Sequence, residues 1–356
     1  MSDLLYSEIE TDLRAGVRAL LDDTCPWTDV LAGTEKDDPY DAALWRALAR
    51  MGVTGLPVPE DLGGAGASWR ETAVVMEELG RAVAPVPFLG SAVLGVAALL
   101  AAGDRELLPE VAAGDTIAVL AVPLGTAPGA FTATVRADGD RLTGEIAGVA
   151  DGLAAGVLLV PAAGGLYAVN AADTGRTEVT SLDMTRRLCD ITLSGAPARK
   201  IADGTEAVDA ALSAGAALLA SEQLGLAERC LDTALEYVKN RYQFGRPVGS
   251  YQSIKHRAAD LWTQIAQARA VARYAASCTA AGDPDTAVAV AVGQAHCSAV
   301  VVKAAEDCVQ MHGGIGFTWE HPAHLFLKRA KSSALSLGTP DHHRSALATL
   351  VDLPPA

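Results

Sequence analysis

A helical apolar repeat begins at Thr205 and runs for roughly ten turns, against three or four in an average globular helix, and this constrains the fold more than any other feature. Leu224, Leu231, Leu235 and Val238 share one stripe, while Glu228, Asp232, Glu236 and Lys239 lie elsewhere on the same helix. So long a stripe is buried only by neighbours of comparable length. The pattern supplies them: a second helix over about Gln252 to Ala281, a third from Asp285 as N-cap to Gly313 at C′, and a fourth from near Pro322. Residues 204–356 are therefore expected to form an antiparallel four-helix bundle.

The rest of the chain divides by texture. Residues 1–115 read as helical, with apolar positions at helical spacing over Ser7 to Leu21, Tyr40 to Met51 and Trp69 to Leu79. Between the last two, Gly55 to Gly66 is a Pro/Gly segment that no helix can cross, expected to be a structured connection, with a site-forming loop as the alternative. Over 116–203, short β-branched segments (Ile117 to Val122, Phe131 to Val135, Val157 to Val160, Glu178 to Thr180) alternate with turn cues. Asp138-Gly139 and Gly164-Gly165 are hairpin signals. A small antiparallel sheet or barrel fits that stretch. The fold class is α+β, mostly α, in three domains: 1–115 helical, 116–203 β, 204–356 bundle.

Composition narrows the function. Hydrophobic residues make up 50% of the chain but aromatics only 5%, so the core rests on Ala, Leu and Val, a mixture suited to closely packed helices. A net charge of -15 argues against nucleic acid and against anionic membrane surfaces as partners. The first residues lack the basic and apolar regions of a signal peptide, and the apolar run from Phe88 to Gly103 is too short and Gly-rich to span a bilayer. No membrane span and a cytoplasmic location are expected. The six cysteines (25, 189, 230, 278, 297, 308) form no C-x-x-C pair, and Cys230, Cys297 and Cys308 sit in helical patterns as small hydrophobes. His342-His343 lacks further ligands nearby in sequence, so no metal is expected.

Two segments carry chemistry. In Arg241-Tyr-Gln-Phe-Gly245, the arginine offers a guanidinium fork suited to a pyrophosphate, and Phe244 offers a stacking face. In Gln310-Met-His-Gly-Gly-Ile-Gly-Phe-Thr-Trp-Glu320, Gly313 and Gly314 leave backbone N–H groups open to a phosphate or a flat ring. Gln243, Gln252 and Gln310 add amide hydrogen bonds. For Gly313-Gly314 taken alone, an ordinary helix cap remains the simpler account. His256 and His312 read as buried or capping groups rather than catalysts.

These two segments resemble the flavin-contacting segments of acyl-CoA dehydrogenases. Arg241-Tyr-Gln-Phe-Gly-Arg-Pro-Val248 with Gln252 and His256 is similar to that family's R-x-Q-F-G-x-P-I…Q…H, and Gln310 to Glu320 to its Q-x-x-G-G-x-G-(F/Y)-(T/S)-x-E. Leu44-Trp45, Gly52 to Pro57, Gly63 to Gly66 and Glu77-Glu-Leu-Gly80 resemble its N-terminal helical domain, so the resemblance covers nearly the whole chain. It implies FAD as cofactor, contacted by Arg241, Gln243, Phe244, Gly245, Gln252, Gln310, Gly313 and Gly314 across a subunit boundary. It also implies an oligomer, an acyl-CoA substrate undergoing α,β-desaturation, and an acceptor for electron transfer.

The resemblance fails at the reacting centre. Ungapped matching puts Leu337 where the family's usual glutamate base belongs, and Gly215 at the family's second location for it. The T-E-P-x-x-G-S-D segment is replaced by Val122 to Gly129. Gly148 stands for a flavin-stacking tryptophan and Ala150 for a threonine. A complementing subunit of a heteromeric dehydrogenase is the economical expectation, of the kind that works in actinobacterial steroid side-chain breakdown. The alternatives left open are a homo-oligomer using Glu222 or Asp341 as base, a structural subunit that contacts no flavin, and a flavin oxidase or monooxygenase. The catalytic residue is not assigned.

Overall fold

The computed structural model describes residues 4–353, so the start of the N-terminal segment and the Pro-Pro-Ala ending lie outside the described residues. Four helices open the chain: α1 (Glu8–Thr24), α2 (Trp27–Gly33), α3 (Ala42–Arg50) and α4 (Trp69–Ala82). Helices α1 and α4 each start with a capping box, Ser7 with Glu10 and Ser68 with Glu71, which satisfies N–H groups the helix itself cannot. The three periodic segments became α1, α3 and α4. Seven-residue α2 is too short to show a period.

The Pro/Gly segment is a structured connection. It makes two single 3₁₀ turns and closes on itself through Ala65 N to Gly55 O (3.1 Å) and Ala67 N to Leu56 O (2.8 Å). The apolar run from Phe88 is a widened helical turn, Phe88–Gly95, continuing into α5 (Val96–Ala102) and followed by α6 (Leu108–Ala112). It is a core helix, buried along nearly its whole length.

The β region holds two four-stranded sheets where one small sheet or barrel was expected. One has the order β1 (Ala118–Leu120), β4 (Val157–Ala162), β5 (Gly165–Asn170), β8 (Arg199–Asp203); the other is β2 (Arg136–Asp138), β3 (Arg141–Ala150), β7 (Leu188–Pro197), β6 (Gly175–Val179). The second sheet is antiparallel throughout, but β1 runs parallel to β4. Both hairpin cues lie at turns, between β2 and β3 and between β4 and β5. The strand expected at Phe131 to Val135 is not there; only Val135 bridges, to Ala162, and β2 begins one residue later. A β-branched run without a ladder partner stays a loop.

The bundle begins with α7 (Glu206–Asn240), 35 residues long, followed by α8 (Gln252–Ala281) and α9 (Thr286–His312). Its fourth member is two pieces, α10 (Ala323–Ser333) and α11 (Pro340–Leu350). Leu337 and Gly338 turn the backbone to φ 53° and 101°, and Pro340 then restarts a helix behind the Thr339 cap. Helix α4 lies against α7 almost backbone to backbone. A Cβ on Gly80 would strike the Glu222 carbonyl, and one on Gly225 would strike that of Glu77. Segments Glu206–Asn240 and Thr286–Phe317 are long and apolar enough to cross a membrane, a property the run at Phe88 lacks. Their apolar windows are 89% and 56% buried inside the fold, so packing accounts for them.

Candidate functional site

At the outer end of the bundle, α7 ends at Asn240 and Arg241 turns the chain out into an extended conformation. Strands β9 (Tyr242–Gln243) and β10 (Arg246–Pro247) pair as a minimal hairpin. Its turn residues, Phe244 and Gly245, both have positive φ, at 51° and 77°. Such a two-residue turn suits glycine at both positions; a phenylalanine there is strained. Phe244 is 93% exposed, so nothing within the chain compensates that strain. Arg241 is exposed and makes no ion pair among the described residues. Its neighbour Arg246 instead stacks on Tyr251, 3.8 Å from the ring centre.

The second segment reaches the same end. Tyr237, in the last turn of α7, stacks on His312, the last residue of α9, with ring centres 4.4 Å apart. The backbone then bends at Gly313 (φ 62°) into a 3₁₀ turn over Gly313–Phe317. Gln310, Gly313, Gly314, Gln243 and Gln252 are all exposed. A Cβ on Gly314 would meet nothing within 4 Å, and its φ does not require glycine. The chain's own packing gives no reason for that missing side chain. Tyr242, Phe317 and Trp319 add exposed aromatic surface nearby in the chain.

The inner face is the opposite. Leu337, at the position expected for the base, is 1% exposed, and its N–H donates to Leu124 O at 2.7 Å. Leu124 N donates in turn to Gly148 O at 3.0 Å. The three places that depart from the family pattern are thus hydrogen-bonded to one another. Gly215 joins them: a Cβ there would strike Leu94 and come within 3.1 Å of Leu337 Cδ1. The two positions where a base could sit are therefore neighbours, and leucine side chains fill the space between. Outside this closure lies a groove of about 370 Å³, lined by Pro123, Gly125, Thr126, Gly338, Thr339 and His342 among others.

Neither alternative base is poised to act. Glu222 is 2% exposed and accepts from Arg186 (2.5 Å), Arg329 (3.4 Å) and Ser333 Oγ (3.3 Å). Burial alone would raise its pKa, but Arg186 and then Arg329 outweigh burial and hold it below the usual range. Asp341 is exposed and paired to Arg344 at 2.6 Å. Sequence reasoning missed the other members of the Glu222 network. Asp183 accepts from Arg329 at 2.5 Å, and Thr185 Oγ1 accepts from Arg329 at 2.7 Å. Asp151, near Arg186, accepts from Gly90 N at 3.0 Å; burial pushes its pKa up to about 6 against the pull of Arg186. The available signal was Asp183 with Arg186-Arg187, charges crowded into an otherwise β-like segment.

Of the histidines set aside, His343 is buried with Nε2 2.9 Å from Leu337 O, and His256 lines a surface groove with Arg257, Asp260 and Asp307. A cleft of about 720 Å³ lies between the α2–α3 segment and the β6–β7 loop, around Asp29, Lys36, Tyr40, Pro85 and Met184. It touches none of the candidate residues.

Comparison with known proteins agrees with this division. The chain matches the acyl-CoA dehydrogenase N-terminal domain over residues 7–115 and the C-terminal domain over 202–351. It is 38% identical to acyl-CoA dehydrogenase IpdE2 of Mycobacterium tuberculosis across 87% of either chain. Among solved structures, the ChsE4-ChsE5 complex from Mycobacterium tuberculosis superposes with a TM-score of 0.90 at 28% identity, covering 100% of both chains. The Tcur3481-Tcur3483 steroid acyl-CoA dehydrogenase variant does so with 0.86 at 31%, covering 97% of this chain and 98% of that one. With an outward-facing motif pair at one end, a departed centre at the other, and both terminal domains matched, the chain belongs to the acyl-CoA dehydrogenase family.

Proposed function

We propose that this chain is the complementing subunit of a heteromeric acyl-CoA dehydrogenase: it lends the rim of a flavin site to a partner that holds the cofactor and the base. One observation carries the reading. Gly148, Leu124 and Leu337 are bonded to one another where a cofactor floor and a proton acceptor belong, while the Arg241 side chain and the open face of Gly314 point outward with no internal use.

FAD is the cofactor of the family, and the outer end fits it: open glycines, an unpaired guanidinium, and a buried His312 Nε2 with no partner. When bound, FAD supplies the acceptor for the hydride that leaves the substrate's β-carbon. Arg241 would meet the pyrophosphate. Gln243, Gln252 and Gln310 would offer amides, Phe244 and Gly245 a stacking and backbone surface, and Gly313-Gly314 their N–H groups. Among the described residues, neither Glu222 nor Asp341 is placed to take the α-proton and the two family positions hold Leu337 and Gly215, and general-base help is typically worth about 10²–10⁴ in rate. The α-proton must therefore go to a carboxylate of the partner. Two electrons leave with each turnover, so an electron acceptor is also required.

The heteromeric relatives and the steroid dehydrogenase support a bulky acyl-CoA thioester as substrate. A cytoplasmic location and domain limits of 1–115, 116–203 and 204–356 complete the reading. The test is expression of the full chain alone and with a dehydrogenase chain carrying the glutamate and tryptophan. Alone it should hold little FAD and turn over little acyl-CoA, and the pair should restore both. Stoichiometric yellow flavin and turnover from the single chain would refute the proposal.

A further inference from the structure

His312 is the one candidate dismissed on sequence grounds that the structure places at the centre of the rim. Its Nδ1 lies 2.7 Å from the Cys308 carbonyl, which can only accept, so Nδ1 carries a proton. Its ring is held between Tyr237 on one element and His321 on another, at 4.4 and 4.0 Å between centres. The loop after it is wound closely around it: a Cβ on Gly316 would come within 2.8 Å of Val309 O and 3.1 Å of His312 Cβ. His312 is 3% exposed, and its buried Nε2 has no hydrogen-bond partner.

We propose that His312 is the positioning residue of the flavin-facing rim, the post around which the loop from Gly313 to His321 is wound, so that its ring sets where Gly313 and Gly314 present their backbone to a flavin nucleotide held by a partner subunit. This rests on the complementing-subunit reading and names the device that would make it work.

The protonation state belongs to the device. Burial opposes a charge on His312, but its bonds to Cys308 outweigh burial and hold its pKa above the usual histidine value. Carbonyls at the end of α9 favour a cation there, as does the Tyr237 face. His321, pushed down to about 4 by burial and by His312, stays neutral beside it. Cys308 on α9 acts on the ring directly; behind these, Cys230 and Arg229 on α7 act on Cys308, His324 on α10 acts on His321, and Lys328 acts on His324. Below its midpoint the His312 ring is a cation between Tyr237 and His321, and that charge is lost as pH rises through the midpoint.

The test uses the full chain co-expressed with its dehydrogenase partner, with FAD as the probe, comparing wild type and His312→Phe. A phenyl ring keeps the stack but loses both nitrogens. Wild type should release FAD progressively as pH rises above 6.5. His312→Phe should bind FAD about tenfold more weakly with a flat pH profile, about one hydrogen bond's worth. Histidine NMR on the full chain alone should show the Nδ1–H form and a midpoint above 6.5, whatever the variant does to folding. Wild-type affinity with an unchanged pH profile in His312→Phe, or a midpoint below 6.5, overturns the inference and leaves the complementing role standing. A wild-type pair that takes up no FAD removes both.

Discussion

At the outer end of the bundle, the side chains of Arg241 and Phe244 and the open face of Gly314 are exposed and do almost nothing for their own chain; at the inner face, Leu337 and Gly215 are buried, and half-buried Gly148 and Leu124 are fastened to Leu337 by backbone hydrogen bonds. Both sets lie where a family active site has its parts. A strained Phe244 or an unpaired Arg241 has no purpose in stability, so its purpose lies outside the chain. Leu337 has the reverse profile. It fills space and closes a hydrogen bond, which is what a core residue does. Residues kept for another molecule and residues kept for the fold can thus be told apart by what they touch.

The contrast can be broken in several places. Glu222→Ala should have the largest effect, leaving Arg186 and Arg329 buried without their shared carboxylate, at a cost of about 3–5 kcal/mol. A denaturant midpoint near wild type would show that the inner face is not held as described. Leu337→Glu places a carboxylate between Leu94 and Leu124 with no cation to meet it, and should cost about 3 kcal/mol without producing turnover by the chain alone. Dehydrogenation by that variant unaided would mean the inner site is open after all.

Arg241→Ala tests the other end. Melting should move by no more than about 0.5 kcal/mol equivalent, since the side chain is exposed and unpaired. FAD held by the assembled pair should weaken by about 10- to 100-fold, the worth of a charged hydrogen bond. An unchanged flavin content would favour a purely structural subunit. Asp151→Asn acts only through pH. The folded pKa of Asp151, about 6, lies above its ordinary value of 3.8, so the stability it contributes is complete below about pH 4 and is lost as pH rises through 6. The asparagine variant should gain roughly 3 kcal/mol over wild type across that window and keep a constant advantage above it. Parallel stability curves from pH 4 to 8 would contradict the assigned burial.

Much of this architecture was legible because it is written in repeats. The limits of α8 and α9 follow from period and caps, and the two motifs could be placed at helix ends because Gly313 and Arg241 interrupt those repeats. What stayed hidden depends on contacts between distant segments. No local signal pairs β1 in parallel with β4, or denies Phe131 to Val135 a partner strand. The split of the fourth helix was readable in Gly338 and Pro340, but the left-handed Leu337 between them was not. In the site, Leu337 and Gly215 could each be named from sequence; that they touch could not. The Asp183, Arg186, Glu222 and Arg329 cluster joins three separate stretches of chain, so only Glu222 was noticed, and without its partners.

The ladder from Gly148 through Leu124 to Leu337 also bears on how such a chain can change over time. A carboxylate arriving alone at 337 or 215 would meet the apolar packing of Leu94 and Leu337, whereas a side chain at Gly148 would meet open space and only a left-handed backbone. The fold therefore opposes the carboxylate more than the aromatic. On the complementing-subunit reading, such a gene is retained with its companion or lost with it, and the leucine at 337 acts as the pawl of that ratchet.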